Sequence, residues 1–306
     1  MKVSCVVVTY NRKESLQTCL SAICSQDTKP VKVFIIDNAS NDGTDELVRS
    51  MGFDKGGHDG IMFNYIRLPE NTGGAGGFNY GLKLASCEED SDAFWLMDDD
   101  GIPDMKCLSS MIPFLSNYDY IAPVVLSDEN HRNCSFVEGH IDYGDFIKRA
   151  NNNGLIYDYA SPFNGVLFSK KLISTIGFPK KEMFIWGDEL EFHNRARKNG
   201  FIPVTVASAI HYHPIDRQRY IEIKPNLYYA YAEDDWKQYC LVRNKTYISI
   251  RYGERGKLRE IIASFHVAIN YNKFYHSHKK EGRMRLLIDA VVSGIIGDFS
   301  GTFRYK

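Results

Sequence analysis

The first hundred residues alternate between short, continuously apolar runs and longer segments with apolar residues every three or four positions. Residues 3–8, Val-Ser-Cys-Val-Val-Val, read as a buried strand. Residues 12–24 place Leu16, Cys19, Leu20 and Ile23 on one face, which is the spacing of an amphipathic helix. The alternation then repeats. A strand is predicted over 31–36, a helix over 44–51 entered through Asn41-Asp42-Gly43, and a strand over 62–67. A helix opening at a glycine-rich turn runs to about Ala85, and a further strand covers 93–97. Fully apolar strands separated by helices predict a parallel sheet covered on both faces. Ligands of such sheets bind beyond the carboxyl ends of the strands.

The middle third is less regular. Pro103 predicts a helix start, 108–115 a helix and 120–125 a strand. Residues 126–160 are loop-rich, with a turn at Asn151-Asn152-Asn153-Gly154. A buried strand over 166–168, a helix from Asp188 to Lys198 and short strands over 203–207 and 209–212 follow. From Ile215 the character changes, and helices are predicted over 236–250, 257–269 and 284–296. The last is apolar along much of its length and follows Lys279, Lys280, Arg283 and Arg285. The expected organisation is an α/β domain over 1–220 and a helical region over 221–306 packed on it. Contact of that tail with an anionic membrane surface is the alternative.

Composition narrows the class. Of 306 residues 44% are hydrophobic and 25% charged, which suits a globular protein with a sizeable core. A net charge of -1 offers no basic field for nucleic acid. Seven cysteines without a C-x-x-C pair fit free thiols in a reducing cytoplasm. The apolar run at the N-terminus is too short for a secretory signal, and no stretch reaches the roughly 20 apolar residues that span a bilayer.

Polar residues gather where the strands end: Thr9 and Arg12, then Asp37-Asn38, then Asp98-Asp99-Asp100. Adjacent carboxylates repel, and a hard divalent cation offsets that repulsion well. A solvated turn or a helix cap is the other reading of such a cluster. The loop Asn71-Thr72-Gly73-Gly74-Ala75-Gly76-Gly77-Phe78 allows close backbone approach and exposes N–H groups to an anion at a helix start. It is not a dinucleotide fingerprint, because counting from Gly74 and Gly76 the third position is Asn79. A tight turn is again the plainer reading. Trp186-Gly187-Asp188-Glu189 sets two acids at a helix N-terminus, where the dipole favours them. One of them could serve as a general base beside an apolar indole, which could also meet a sugar ring. His211 and His213, either side of Tyr212, are expected to point to opposite faces, so that at most one meets the acidic cluster.

Together these segments resemble the inverting nucleotide-sugar glycosyltransferases of family 2. The order is VVVTYNR, IIDNASNDGT, LPENTGGAGGF, FWLMDDD, FNGVLFS, FIWGDELEF, a histidine, then Arg243-Asn244, over about 250 residues. The chain is most similar to bacterial galactofuranosyltransferases. The resemblance implies an α/β GT-A fold, a Rossmann-like and mostly parallel sheet with a C-terminal helical extension. It implies a nucleotide-sugar donor, UDP-galactofuranose first and dTDP-rhamnose second. It also implies a glycan or lipid-linked glycan acceptor in surface-polysaccharide biosynthesis, at the inner face of the cell envelope. Matching positions give Thr9, Arg12, Asp37, Asn71, Gly73, Gly74, Gly76, Asp99 and Trp186 to the donor, with Asp37 on the uracil or ribose and Asp99 nearer the sugar. Asp98, Asp100 and His213 fall on the ligands of a Mn2+ or Mg2+ ion, with His211 in reserve. Glu189 falls on the catalytic base and Asp188 on a sugar contact. Glu189 stands where Asp is more frequent, and the large additional domains of galactan polymerases have no counterpart, so addition of one or a few residues is expected. A sugar nucleotidyltransferase would carry a basic glycine-rich loop after the first strand, where Thr9-Tyr10-Asn11-Arg12 stands instead. A carbohydrate-binding module would need neither acidic cluster.

Overall fold

The computed structural model describes residues 1–88, 90–137, 141–215, 219–225, 227–278, 282–303 and 305. Lys279 and Lys280, two of the cations noted before the last helix, lie outside them. The chain divides into two compact units, Met1–Pro179 with Arg195–Ile215 and Lys180–Asn194 with Asp216–Lys306. Lys180–Asn194 thus groups with the C-terminal unit, although it lies before residue 220, where the sequence reading set the boundary.

The first unit follows the predicted alternation: β1 (Val3–Thr9), α1 (Lys13–Cys24), β2 (Lys32–Asp37), α2 (Thr44–Ser50), β3 (Lys55–His58), β4 (Ile61–Arg67), α3 (Gly73–Ser86) and β5 (Ala93–Asp98). β6 (Ile102–Pro103), α4 (Cys107–Met111), a 3-10 turn (Ile112–Ser116) and β7 (Tyr120–Ser127) come next. α5 (Tyr143–Ile147), β8 (Leu155–Tyr157), β9 (Val166–Ser169), α6 (Lys170–Ile176) and, after α7 (Asp188–Lys198), β10 (Val204–His213) complete it. One sheet runs in the order β3-β4-β2-β1-β5-β9-β7-β10-β6, with β8 paired to β10. β1 pairs in parallel with both β2 and β5, so the strand order reverses there and opens a crevice at the carboxyl ends. β9 runs antiparallel to both β5 and β7, which returns β7 and its parallel neighbour β10 to the direction of β1. The carboxyl end of β10 therefore lies on the same sheet edge as Thr9, Asp37 and Asp98.

Packing explains the alternation. Leu16, Cys19, Leu20 and Ile23 of α1 are fully buried in one cluster with Val3, Val7, Trp95 and Met97. Trp95 satisfies its one polar atom by donating Nε1–H to the Gly165 carbonyl at 2.9 Å. α3 lies close against β1 because Gly77 and Gly81 have no side chain: a Cβ would come within 2.5 Å of Val8 and of Val6.

Two expectations are corrected. Pro103 does not start a helix: it ends β6, opposite His211 of β10, and the helix begins at Cys107. The two short strands over 203–212 are one strand whose register against β7 shifts between Val206 and Ile210. The shift falls beside Pro123 of β7, which has no N–H to give the ladder. β3 and α6 were not anticipated, and β3, Lys-Gly-Gly-His at a sheet edge, carries no apolar pattern that could have shown it.

The second unit holds the start of α7, an antiparallel pair β11 (Arg219–Lys224) and β12 (Leu227–Tyr231), and helices α8 (Asp235–Tyr252), α9 (Lys257–Ser277) and α10 (Met284–Ile296). Its core gathers Tyr239, Cys240, Tyr271, Tyr275, Leu287, Ala290 and Val291. The buried Tyr239 hydroxyl bonds Ser293 of α10 at 2.9 Å. No helix among the described residues is long and apolar enough to cross a membrane.

Candidate active site

At the carboxyl edge of the sheet the three aspartates divide by role. Asp98 closes β5 and is half-buried, and its carbonyl accepts from the Gly101 N–H at 3.1 Å. Asp99 is buried: Oδ2 accepts from Thr9 Oγ1 at 2.7 Å and Oδ1 from Arg12 Nη1 at 3.2 Å. Burial pushes its carboxyl up to about 6, with Arg12 pulling the other way and Asp100 adding to the rise. The same Arg12 nitrogen reaches Asp100 Oδ2 at 2.9 Å. Burial works against the guanidinium charge, but Asp99, Asp100 and Asp98 outweigh it and raise the Arg12 pKa. The oxygens of Asp99, expected near the sugar, are thus taken up by Thr9 and Arg12.

His213 closes β10 with Nε2 at 3.2 Å from Asp100 Oδ1 and Nδ1 at 2.7 Å from the Pro214 carbonyl. A carbonyl only accepts, so Nδ1 carries a proton, and Nε2 is the nitrogen that faces the Asp100 carboxylate. A histidine whose other nitrogen is fixed by a backbone carbonyl is the usual form of a metal ligand. Carboxylate with imidazole suits Mn2+ and, less closely, Mg2+, so the residues fit the implied cation. Among the described residues no group of three His, Cys, Asp or Glu side chains is already gathered for a metal.

The two histidines do not point to opposite faces. Residues two apart in a strand share a face, and both are buried while Tyr212 between them is half-exposed. His211 is held differently from His213. Its ring lies between Gly101 and Gly165, where an added Cβ would come within 2.4 Å of Nε2 and 2.8 Å of Nδ1. Among the described residues neither nitrogen has a hydrogen-bond partner. Burial lowers its pKa to about 3, with His213 adding to the drop and Asp100 opposing it, so the ring is neutral and acts as packing under the aspartate turn.

The end of β2 forms a second network. Asp37 is wholly buried: Oδ1 accepts from Ser40 N at 2.8 Å and Oδ2 from the Tyr65 hydroxyl at 2.5 Å, with Arg67 Nε at 3.8 Å. Arg67 also donates to the Ser40 carbonyl at 2.7 Å. Asn38 joins β2 to the glycine loop, accepting from Thr72 Oγ1 at 2.9 Å and donating to the Gly73 carbonyl at 3.1 Å. Tyr65, Arg67 and Ser40 were missed by sequence reasoning, and Asn38 was seen only as part of the strand-end cluster. The pairing of Asp37 with Arg67 across β2 and β4 is what marks Arg67. In the loop itself, Asn71 Oδ1 caps the Gly73 N–H at 2.8 Å and Gly73 turns the chain at φ +73°. Gly76 is an internal packing position, since a Cβ would meet Thr72 Oγ1 at 2.4 Å, whereas Gly74 faces open space.

In the second unit, the acidic pair follows a backbone of unusual conformation. Phe184, Trp186 and Gly187 take φ of 66°, 58° and 96°. For two aromatic residues this is strained, at about 1–3 kcal/mol each. Asn244 holds the segment: its Nδ2 donates to the carbonyls of Met183 at 3.0 Å, Ile185 at 3.0 Å and Trp186 at 2.7 Å. Arg243, wholly buried, donates to the Met183 carbonyl at 3.0 Å, to Asn244 Oδ1 at 2.9 Å and to Thr302 Oγ1 at 2.8 Å. α7 starts from this clasp with Asp188 buried, Glu189 half-buried and Glu191 bonded by the Tyr252 hydroxyl at 2.8 Å.

The profile of "Glycosyl transferase family 2" matches residues 4–171. The galactofuranosyltransferase GlfT1 of Mycolicibacterium smegmatis is 30% identical over 273 residues, covering 84% of this chain and 85% of that protein. The poly-beta-1,6-N-acetyl-D-glucosamine synthase of Staphylococcus epidermidis is 27% identical over 192 residues, 59% of this chain and 42% of that one. Among solved structures, the mannosyltransferase PcManGT of Pyrobaculum calidifontis, in complex with GDP-Man and Mn2+, superposes with a TM-score of 0.57 at 15% identity, over 96% of this chain and 87% of that one. S. aureus TarS 1-349 in complex with UDP-GlcNAc gives 0.54 at 16% identity, over 99% and 81%. At such identities the likeness to the solved structures is one of fold.

Proposed function

Because this chain belongs to glycosyl transferase family 2 and has a GT-A-like fold, we propose that it transfers galactofuranose from UDP-galactofuranose to a lipid-linked or surface-polysaccharide glycan with inversion. The geometric observation that carries the reading is the Asp100–His213 edge, 3.2 Å apart at the carboxyl end of a parallel sheet. The choice of sugar is supported by the end-to-end likeness to a galactofuranosyltransferase. The seven free cysteines favour a cytoplasmic site of action.

Asp98, Asp100 and His213 would hold the cation. A Mn2+ or Mg2+ ion, when bound, supplies positive charge to the departing diphosphate. Arg12 and Thr9 fix Asp99, which keeps the aspartate turn in one conformation. Asp37 with Tyr65 and Arg67 shapes the nucleoside end, and Asn71, Gly73 and Gly74 face the diphosphate. Glu189 takes the proton from an acceptor hydroxyl. The freed oxygen attacks the anomeric carbon from the side opposite the leaving diphosphate, so one displacement inverts the configuration. Asp188 and Trp186 bind sugar, the indole through its apolar face.

Incubation with a donor panel, scored by nucleotide release with and without EDTA, tests this. UDP should be released from UDP-galactofuranose in the presence of acceptor and not after chelation. Release from dTDP-rhamnose instead would replace the sugar. Pyrophosphate would identify a nucleotidyltransferase, and no release from any donor would leave only a binding protein.

A further inference from the structure

α9 is buried on one face by Ser264, Ala268, Tyr271 and Tyr275, yet its other face is not polar. Leu258, Ile262 and Ile269 are 70%, 49% and 39% exposed. At 100° per residue these three fall within about 40° of one another and form a single ridge. Arg259, His266 and Lys273, all exposed and seven residues apart, run beside it as a second ridge. Scattered exposed apolar residues are ordinary, but a continuous apolar ridge beside a basic one is not. The single acid of α9, Glu260, lies on the buried face and is bound at both oxygens by Arg255, at 2.9 and 2.7 Å. Arg259 and Lys273 have no carboxylate partner among the described residues. The outer face therefore offers apolar side chains and cations with no carboxylate.

We propose that this face of α9 rests on an anionic lipid surface, with Leu258, Ile262 and Ile269 at the acyl boundary and Arg259 and Lys273 on the phosphates. The match is one of charge and form: an interfacial helix needs an apolar ridge flanked by cations. α10 also exposes Ile288, Val292 and Ile296, but Asp289 lies among them, so the charge complementarity belongs to α9. The purpose of the contact rests on the reading that the acceptor is carried by a lipid. Its measurement does not.

The test is sedimentation of the full chain with phosphatidylcholine vesicles and with vesicles in which about a third of the lipid is phosphatidylglycerol. Binding should require the anionic lipid and weaken as salt is raised. The double variant R259Q/K273Q should lose about twenty-five-fold in affinity, from about a factor of five for each cation. I262S/I269S should lose binding as well, while K83Q, on α3, should bind like the parent. UDP release with a short water-soluble acceptor should be unchanged in all of them, which separates failure of this proposal from failure of the transfer reading. Equal binding to neutral vesicles, no binding to either, or a parent dimer dispersed by I262S/I269S would each overturn it.

Discussion

In the first unit the charged residues stand at strand ends and are tied to one another through adjacent strands, whereas in the second the acidic pair follows a strained backbone held from a helix 61 residues further on. At the sheet edge two of the acids have more than one anchor: Asp99 has Thr9 and Arg12, and Asp37 has Ser40 and Tyr65. The strands themselves hold the register, so no single side chain decides the geometry. In the second unit one amide nitrogen serves three carbonyls, and the conformation it holds would relax without it. The first arrangement is redundant and tolerant. The second is economical and vulnerable.

Breaking each region separately should give distinct kinetic results. The largest effect is expected at Glu189: Glu189→Gln should lower kcat by about 100- to 10,000-fold. Donor affinity, read by calorimetry with UDP, should stay near that of the parent. Full turnover would remove Glu189 from the role of base. Asn244→Ala should lower kcat by about a hundredfold through misplacement of the acidic pair. Its UDP affinity should not change, because the sheet-edge residues are fixed independently. An equal loss of UDP affinity would mean that the two regions are not separable. His213→Ala, read by Mn2+ titration, should weaken cation binding by about tenfold or more and leave the folded structure intact. Unchanged Mn2+ affinity would strike His213 from the ligand set.

Within the glycine loop the comparison becomes one of stability against binding. Gly77→Ala forces a Cβ against Val8 and Asn38 and should cost about 1–3 kcal/mol in urea unfolding. Gly74→Ala meets open space, so it should change stability by less than about 0.5 kcal/mol and report on donor affinity instead.

The smallest effect is in the acid range. His211, with its pKa held to about 3, is neutral in the fold but takes up a proton when unfolded below about 6.5, so its stabilisation is lost as pH falls from there. Asp99, raised to about 6, has the opposite sign, because the fold holds a proton between about 6 and the unfolded value near 3.9. The two contributions offset each other near pH 5. Asp99→Asn should therefore steepen the loss of stability between pH 6 and pH 4, measured by urea midpoints.

Much of the first unit was legible because its signals are local. A continuously apolar run makes a buried strand, and α1 buries the four residues its period marks. The polar clusters at 9–12, 37–38 and 98–100 follow from the rule that chemistry collects at carboxyl ends. The second unit was less legible. Its helices showed in the pattern, but the β11–β12 pair and the clasp did not, since an Asn inside a helix signals nothing about a distant carbonyl. The histidine pair failed for a different reason: the alternation of strand side chains was applied to residues two apart, which share a face.

By itself the sequence determined most of the strand and helix order in the first hundred residues, the residues at the strand ends and the family resemblance, because apolar period and motif spacing are properties of neighbours along the chain. The tertiary structure decided which of those residues meet. His213 Nε2 lies 3.2 Å from Asp100, whereas the His211 ring packs between Gly101 and Gly165. Close packing makes Gly76 and Gly77 structural and leaves Gly74 open. Thr9 and Arg12 take up Asp99, and Asn244 holds the strained turn before Asp188. Each of these outcomes depends on contacts between segments far apart in sequence. No local pattern encodes the register, packing distance or hydrogen-bond partner that results when such segments meet.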